Sequence, residues 1–224
     1  MKKVAVIVAG GSGTRMQSEQ PKQFIPLHGK PILYYTLKAF LEAYADMSVI
    51  LVLPEEHIGV GQEIIDAFFD YRRIRITAGG RTRFHSVQNG LRLIGEECMV
   101  FVHDGVRCCL STDLIHRCYE AAMQEGSAIP AMPCTDSMRK VNEEGSEAID
   151  RSQLRVIQTP QTFHSKLLLP AFEIDYKDWF TDEATVVEAF GLNVNLIEGE
   201  DRNLKVTRPA DLVMAAHWLE QRDS

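Results

Sequence analysis

The sequence predicts a single α/β domain in which a mostly parallel sheet lies between two helical layers, a three-layer, Rossmann-like arrangement. Short apolar runs of strand length alternate with longer segments whose apolar residues recur at helical spacing, a pattern typical of parallel sheets flanked by helices. The first run, Lys3–Ala9, is directly followed by a glycine-rich turn, and ligands bind where such strands end. With 224 residues, 45% of them hydrophobic, the chain can bury one sizeable core.

Strands and helices alternate along most of the chain. Lys3–Ala9 is continuously apolar after Lys3, as expected for a strand buried on both faces. Further strands are predicted at Val49–Leu53, Arg73–Thr77, Met99–His103 and Leu192–Ile197. Helices are predicted from Pro31, over Val60–Phe68, over Thr82–Ile94, from Ser111, near Ser165, after Asp182 and from Thr207–Pro209.

The alternation breaks between Cys134 and Gln158. Here two short segments, Met138–Val141 and Glu147–Asp150, flank a polar turn, which predicts a β-hairpin. A two-stranded hairpin is marginally stable on its own. We therefore expect residues 135–157 to form an arm, inserted into one domain spanning residues 1–224, that packs on a second copy of the chain.

Composition and cysteine usage exclude several classes of protein. A formal charge of −7 argues against broad affinity for nucleic acid or for an anionic membrane surface. The apolar run Val4–Ala9 is too short for a signal or membrane helix, so we expect a cytoplasmic protein. The five cysteines include the adjacent pair Cys108 and Cys109 but no CxxC spacing, which disfavours a disulfide framework or a zinc site.

The turn after the first strand has the composition of a phosphate-binding loop. Gly10, Gly11 and Gly13 allow the backbone to approach a ligand closely and to offer N–H groups to phosphate oxygens. Arg15 and Lys22 add positive charge beside these glycines. The loop is not a Walker A motif, because no Gly-Lys-Ser/Thr closes it, and it lacks the third glycine of a dinucleotide fingerprint. A simple tight turn with solvated charges is the alternative.

Gly-Gly-Ser-Gly-Thr-Arg-Met at residues 10–16, followed by Pro-Lys-Gln at residues 21–23, resembles the nucleotidyltransferases that activate sugars and polyols. Within that group the chain is similar to the 2-C-methyl-D-erythritol 4-phosphate cytidylyltransferase family of the non-mevalonate isoprenoid pathway, from the first strand to the last helix. The resemblance implies a nucleotidyltransferase fold, Mg²⁺ as cofactor and a homodimer formed through the arm. It also implies transfer of CMP from CTP to 2-C-methyl-D-erythritol 4-phosphate, a polyol phosphate, with release of pyrophosphate.

Asp104 is the predicted metal ligand. It ends a buried strand beside the expected triphosphate site, and Mg²⁺ prefers a few carboxylates together with phosphate oxygens. The family's usual sequence here is His-Asp-Ala-Ala-Arg-Pro, whereas this chain has Gly105 and Val106 for the alanines and Cys108 for the proline. The spacing from Asp104 to Arg107 is retained, so the metal prediction stands. The alternative is a carboxylate that caps the next helix.

The resemblance assigns further roles residue by residue. The predicted nucleotide-binding residues are Ala9, Gly10, Gly11, Gly13, Gly80, Ser86 and Gly105. The residues predicted to act in catalysis are Arg15, Lys22, Arg151 and Lys205. The predicted substrate-binding residues are Arg107, Asp136, Arg151, Thr159, Thr181 and Lys205. Arg151 is expected to serve the neighbouring subunit's acceptor phosphate, which its planar guanidinium can hold in two hydrogen bonds.

Alternatives remain for several of these residues. Without the resemblance, Arg151 is simply a charge on the hairpin, and Lys205 is a solvent-facing lysine before a helix N-terminus, where a helix dipole disfavours a cation. His103 ends an apolar strand and is expected to be a hydrogen-bonded core histidine.

A phosphate monoester is ionised near neutral pH, so the predicted reaction needs positioning and charge neutralisation, not a strong base.

Two rival functions are compatible with the sequence. A ribitol 5-phosphate cytidylyltransferase shares the glycine loop, the Pro-Lys-Gln, the aspartate at the strand end and the Thr-Pro-Gln. Asp150 and Arg151 nevertheless favour the methylerythritol enzyme. A catalytically inactive nucleotide-binding module that acts by dimerisation is the rival of another class. The joint presence of Arg15, Lys22, Asp104 and Lys205 argues against it.

Overall fold

In a computed structural model of the protein, residues 1–11 and 20–222 are described. The predicted site residues Gly13 and Arg15 lie outside the described residues. Within the described part of the chain, none of the helices is long and apolar enough to cross a membrane.

The central sheet is mostly parallel, as predicted. The strands in chain order are β1 (Lys2–Val8), β2 (Pro26–Leu27), β3 (Lys30–Pro31), β4 (Met47–Leu53), β5 (Ile74–Ala78), β6 (Cys98–Asp104), β7 (Ser127–Pro133), β8 (Met138–Asn142), β9 (Gly145–Ile149), β10 (Arg155–Ile157), β11 (Gln161–His164) and β12 (Leu196–Glu198). The main sheet has the order β10-β7-β11-β6-β1-β4-β5, with β12 beside β7. β1 pairs in parallel with β4 and β6, and β4 pairs in parallel with β5. β11 is antiparallel to both β6 and β7.

The helices cover both faces of this sheet. They are α1 (Ile32–Ala43), α2 (Ile58–Phe68), α3 (Arg83–Leu91), α4 (Thr112–Glu125), α5 (Ser165–Ala171), α6 (Glu183–Ala189) and α7 (Pro209–Arg222). Ser111 caps α4, its hydroxyl accepting from the Leu114 backbone N–H. Asp182 caps α6 in a capping box with Thr185. Such caps satisfy N–H groups that have no partner inside the helix.

The alternation of β1 side chains divides the core into two halves. Ile7 belongs to one apolar cluster, with Leu37 of α1 and Leu114 of α4. Its neighbour Val6 belongs to another, with Val87 of α3. Because successive side chains of a strand point to opposite faces, β1 is apolar at every position from Val4 to Val8 and supports a helical layer on each side.

Several predicted boundaries were wrong. The predicted helix 82–94 is the shorter α3, with Thr82 as its N-cap residue. The predicted strand 192–197 is β12, which begins only at Leu196, where it reaches β7. The sequence analysis did not predict β7, β10 or β11.

The hairpin prediction is confirmed as local structure. β8 and β9 pair antiparallel, from Met138 opposite Ile149 to Asn142 opposite Gly145, and form a separate two-stranded sheet. All five residues of β8 are exposed.

Candidate active site

A cavity of about 300 Å³ opens where β1 and β6 end. Val8 is in register with Asp104 at the ends of these two strands, so Gly10 and Gly11 after β1 line the same cavity as the carboxylate that ends β6. The predicted site residues that line the cavity are Ala9, Gly10, Gly11, Lys22, Gly80, Ser86, Asp104 and Lys205. A second cavity of about 400 Å³ shares Gly10, Gly11, Gly80 and Ser86 with the first. The fold therefore brings together residues from distant parts of the sequence at the edge where α/β sheets bind ligands.

Asp104 is the centre of a cluster of charges. Its Oδ1 accepts from Arg83 Nε at 3.2 Å, and its Oδ2 lies 2.9 Å from Lys205 Nζ. Arg107 Nε lies 3.6 Å from Oδ2. Burial opposes ionisation of this carboxyl, yet Arg83, Lys205 and Arg107 lower the pKa of Asp104 far below its ordinary value. The carboxylate is thus ionised at every physiological pH.

The cationic wall of the cavity contrasts with the net negative charge of the chain. Lys22, Arg81, Arg83 and Lys205 line the cavity together with Asp104. Lys22 follows Pro21 in a 3₁₀ turn, and its ammonium donates to the Val206 carbonyl at 3.1 Å. Because four cations face one carboxylate, the cavity suits a ligand that brings several negative charges.

Arg83 is a site residue to which the sequence analysis assigned no role. Its guanidinium bridges Asp104 and Glu183: Nη1 donates to Glu183 Oε1 at 2.5 Å and Nη2 donates to Oε2 at 3.1 Å. Glu183, at the start of α6, is fully buried. The partners are 100 residues apart in the sequence, so no local pattern indicated the pair.

His103 and Thr159 hold the backbone of Asp104. The Asp104 N–H donates to Thr159 Oγ1 at 3.1 Å, and Thr159 Oγ1 lies 2.9 Å from His103 Nδ1. His103 Nε2 lies 3.3 Å from the Arg107 carbonyl. Burial lowers the pKa of His103 to about 3, so the ring is neutral, and the carbonyl partner assigns its proton to Nε2. His103 is the hydrogen-bonded core histidine that its position predicted, and Thr159 supports Asp104 from behind.

Arg107 and Gly105 also lie behind the cavity wall. Arg107 is 9% exposed and donates from Nη1 to the Asn203 carbonyl at 2.8 Å. The Asn203 side chain in turn donates to the Thr159 carbonyl at 2.7 Å. A Cβ on Gly105 would lie 2.8 Å from Ala9 Cβ, so this glycine allows close packing of two strand ends. In this structure Arg107 contacts Asp104 and Asn203, and Gly105 packs against Ala9. Their roles as ligand contacts remain predictions.

The turn after β5 is held by the hydroxyl group of Ser86, in the first half of α3. The Gly80 N–H donates to Ser86 Oγ at 3.0 Å, and Ser86 Oγ donates to the Thr82 carbonyl at 3.0 Å. A Cβ on Gly80 would lie 2.5 Å from His85 Cβ, so the tight approach of this turn to α3 requires glycine. Gly80 and Ser86 form the part of the wall that both cavities share.

Three predicted substrate residues lie away from the main cavity. Asp136 and Arg151 are exposed at the base of the hairpin arm, where the Arg151 guanidinium donates to the Thr135 carbonyl. Thr181 is exposed before α6 and lines a cavity of about 10 Å³ behind Arg83. The structure of one chain therefore assembles the cationic cavity but does not bring the arm residues to it.

Comparison with known proteins agrees with this geometry. The sequence profile described as 2-C-methyl-D-erythritol 4-phosphate cytidylyltransferase matches residues 3–221. The chain belongs to this family. The family predicted from the glycine loop and Pro-Lys-Gln is thereby confirmed.

Individual relatives match along nearly their whole length. The 2-C-methyl-D-erythritol 4-phosphate cytidylyltransferase of Bacteroides thetaiotaomicron is 43% identical over 219 residues, covering 98% of this chain and 100% of the relative. That of Bacteroides fragilis is 44% identical over 220 residues, with the same coverage. Among solved structures, the 4-diphosphocytidyl-2C-methyl-D-erythritol synthase of Anaerococcus prevotii superposes with a TM-score of 0.83 at 27% identity, covering 98% of this chain and 96% of that one.

Proposed function

We propose that this chain transfers CMP from CTP to 2-C-methyl-D-erythritol 4-phosphate, giving 4-diphosphocytidyl-2-C-methyl-D-erythritol and pyrophosphate. The observation that carries the proposal is the cavity beside Asp104, whose wall holds Lys22, Arg81, Arg83 and Lys205. A triphosphate and a phosphate monoester are both negatively charged and therefore complement these four cations. Family membership supplies the identities of the nucleotide and the acceptor.

The chemistry follows from the arrangement of charges. A phosphate oxygen of the acceptor attacks the α-phosphorus of CTP, the new P–O bond forms, and the bond from the α-phosphorus to the bridging oxygen of the β-phosphate breaks. Pyrophosphate carries away the electron pair. Lys22 and Lys205 neutralise negative charge on the oxygens around the α-phosphorus and on the leaving group. No proton has to be removed from an ionised phosphate, which agrees with a neutral, buried His103.

The cytosine is expected to lie at the turn shared by the two cavities. Gly10, Gly11, Gly80 and Ser86 border both, and their small size leaves backbone groups open to a planar base. A ligand that spans both cavities can place its base at this turn and its phosphates at Lys22.

The residues present fit a magnesium ion held jointly by protein and substrate. Among residues 1–11 and 20–222, no group of three or more His, Cys, Asp or Glu side chains is placed to hold a metal ion. Asp104, however, is ionised at the cavity wall, and its Oδ2 is paired with the half-exposed Lys205. Mg²⁺ is commonly held by one or two carboxylates plus substrate phosphates, and Asp104 would be its protein ligand here. Bound in this way, the ion would neutralise phosphate charge.

The hairpin arm supports a homodimer. Its exposed Met138 and Val141, together with Val156 of β10, present an apolar surface. The two strands of the arm form a sheet of their own, separate from the main sheet. We propose that a second copy covers this surface and that Arg151 and Asp136 bind the acceptor phosphate in the neighbouring cavity. The cytoplasm remains our prediction for the compartment, since all five cysteines are free thiols.

The test is pyrophosphate release from CTP with Mg²⁺, comparing 2-C-methyl-D-erythritol 4-phosphate with ribitol 5-phosphate as acceptor. Release with the methylerythritol acceptor alone is the expected result. Preference for ribitol 5-phosphate would contradict the acceptor and retain the chemistry. Folded protein that binds CTP and releases no pyrophosphate with either acceptor would favour the inactive dimerisation module.

A further inference from the structure

Glu183 is a buried carboxylate that faces the back of the active site. It is 0% exposed and begins α6, directly after the N-cap Asp182. Both of its oxygens accept hydrogen bonds from Arg83, at 2.5 Å and 3.1 Å. A bidentate pair of this kind fixes the plane of the guanidinium as well as its position.

Arg83 meets Asp104 on its other side with a single hydrogen bond. Its Nε donates to Oδ1 at 3.2 Å, while the two terminal nitrogens are bonded to Glu183. Oδ2 of Asp104 is paired with Lys205, whose side chain is 41% exposed. The two oxygens of Asp104 therefore differ. Oδ1 is bound to an anchored guanidinium, whereas Oδ2 contacts an ammonium that can turn towards solvent or substrate and lies 3.6 Å from the buried Arg107 Nε.

We propose that Glu183 is a positioning residue that holds Arg83 on Oδ1 of Asp104 and thereby keeps Oδ2 available for the divalent cation. This inference rests on the proposed magnesium role of Asp104. Without the charge of Glu183, the partly buried guanidinium of Arg83 loses its main anionic partner. Asp104, which Arg83 already contacts, is the carboxylate that can replace it. Arg83 would then take both oxygens of Asp104, in the bidentate geometry that arginine favours, and would compete with the cation.

The experiment measures cation binding in the absence of the acceptor, so that no product forms. Because CTP itself binds Mn²⁺, the ion is titrated into CTP with the protein in excess and, as the reference, into CTP alone, and the free ion is followed by electron paramagnetic resonance. We expect Glu183→Gln to weaken Mn²⁺ binding about tenfold or more, the usual effect of removing a group that orients a metal ligand. Glu188→Gln, on an exposed position of the same helix, is the matched control and should leave binding unchanged.

A double variant separates positioning from support of the fold. Replacing a buried ion pair by apolar residues often preserves or increases stability, whereas removing one partner is destabilising. Arg83→Met combined with Glu183→Met removes the competing guanidinium along with its anchor. We expect it to fold and to bind Mn²⁺ at least about threefold more tightly than Glu183→Gln, because Arg83 no longer competes for Asp104. Loss of fold alone would not produce that recovery.

The outcomes are distinct. Wild-type affinity in Glu183→Gln, or a double variant that binds Mn²⁺ as weakly as the single one, overturns the positioning role. If Glu183→Gln does not fold, the double variant is compared with the wild type instead. A Mn²⁺ affinity of the double variant that is tenfold or more below that of the wild type contradicts the proposal. A wild-type protein that binds no Mn²⁺ with CTP overturns the metal site and the positioning role together, whereas failure of pyrophosphate release with intact Mn²⁺ binding contradicts only the proposed reaction.

Discussion

The cavity beside Asp104 and the hairpin arm differ in how completely one chain determines them. In the cavity, buried partners hold the two central groups: Glu183 holds Arg83, and Thr159 holds the Asp104 backbone. In the arm, the contacts are local and exposed, such as the Lys140–Glu147 pair at 3.6 Å, with both side chains about two-thirds exposed.

This difference indicates separate roles for the two regions, the cavity in the chemical step and the arm in assembly. A preorganised cluster of charges stabilises a transition state because it does not have to rearrange during the reaction. A hairpin with exposed apolar residues is only marginally stable on its own and gains stability when another surface covers it. We therefore expect changes in the cavity to affect the chemical step directly, and changes in the arm to act through assembly and acceptor binding.

The largest expected effect is the loss of a cavity cation. Lys22→Ala should lower kcat by roughly 10²- to 10³-fold, about 3–4 kcal/mol of transition-state stabilisation, because Lys22 neutralises charge that develops during transfer. Steady-state pyrophosphate release measures this. Lys166→Ala, an exposed lysine after β11, is the control and should retain wild-type turnover. Near-normal kcat in Lys22→Ala would contradict the assigned role.

Lowering the pH should reduce the free energy of unfolding because of the buried His103. His103 has its pKa lowered to about 3 by burial, whereas an unfolded histidine titrates near 6.5. Between these values only the unfolded chain binds the proton, so stability is lost as pH falls from about 6.5 towards about 3. From pH 7.5 to pH 5, His103 should remove about 2 kcal/mol from the free energy of unfolding.

Urea unfolding at the two pH values checks this prediction. His103→Asn should be less stable than the wild type at pH 7.5, because the ring packs against Phe40 and bonds to Thr159. Its loss of stability on acidification should be smaller than that of the wild type by about 2 kcal/mol. An equal loss in both proteins would assign the acid sensitivity to other groups.

Glycine substitutions test how tightly α3 is packed beside the site. A Cβ on Gly90 would lie 2.7 Å from Val6 Cγ1 and 3.1 Å from Val52 Cγ2, so Gly90→Ala should destabilise the fold by about 1–2 kcal/mol. A Cβ on Gly59, in α2, would meet no atom of the described residues within 4 Å. Gly59→Ala should therefore stabilise the protein by up to about 1 kcal/mol through helix propensity. Thermal unfolding of both variants gives the signs, and two shifts of the same sign would contradict this packing.

The smallest effect is expected in the arm. Lys140→Ala removes an exposed ion pair with Glu147, and such pairs contribute little. The free energy of unfolding from urea titration should change by less than about 0.5 kcal/mol. A larger loss would mean that the arm contributes to the stability of the fold more than its exposed contacts indicate.

The sequence predicted the parts of the fold that carry a local signal. The continuous apolar strands β1 and β4 and the capped helix α4 follow from such signals. β7 was missed because Pro130 and Pro133 interrupt its pattern, and prolines argue against a central strand. β11 was missed because it is short and contains Gln161 and His164, both buried polar residues.

The site shows the same limit. Lys22, Asp104 and Lys205 were predicted because each lies in a motif of neighbouring residues. Arg83 and Glu183 depend on tertiary contact between α3 and α6, which no spacing along the chain reveals. The hydrogen bond from Arg107 to the Asn203 carbonyl, 96 residues away, could not be predicted from the sequence for the same reason.

We propose that each active site combines the cavity of one subunit with the arm of another, and a mixing experiment tests this proposal most directly. Arg151→Ala should be poorly active because the acceptor phosphate loses its arm contact, and Lys22→Ala should be inactive. Unfolding and refolding them together in equal amounts should restore about a quarter of wild-type pyrophosphate release, since half of the dimers are mixed and one of their two sites is intact. Activity no higher than the average of the two separate variants would contradict a shared site.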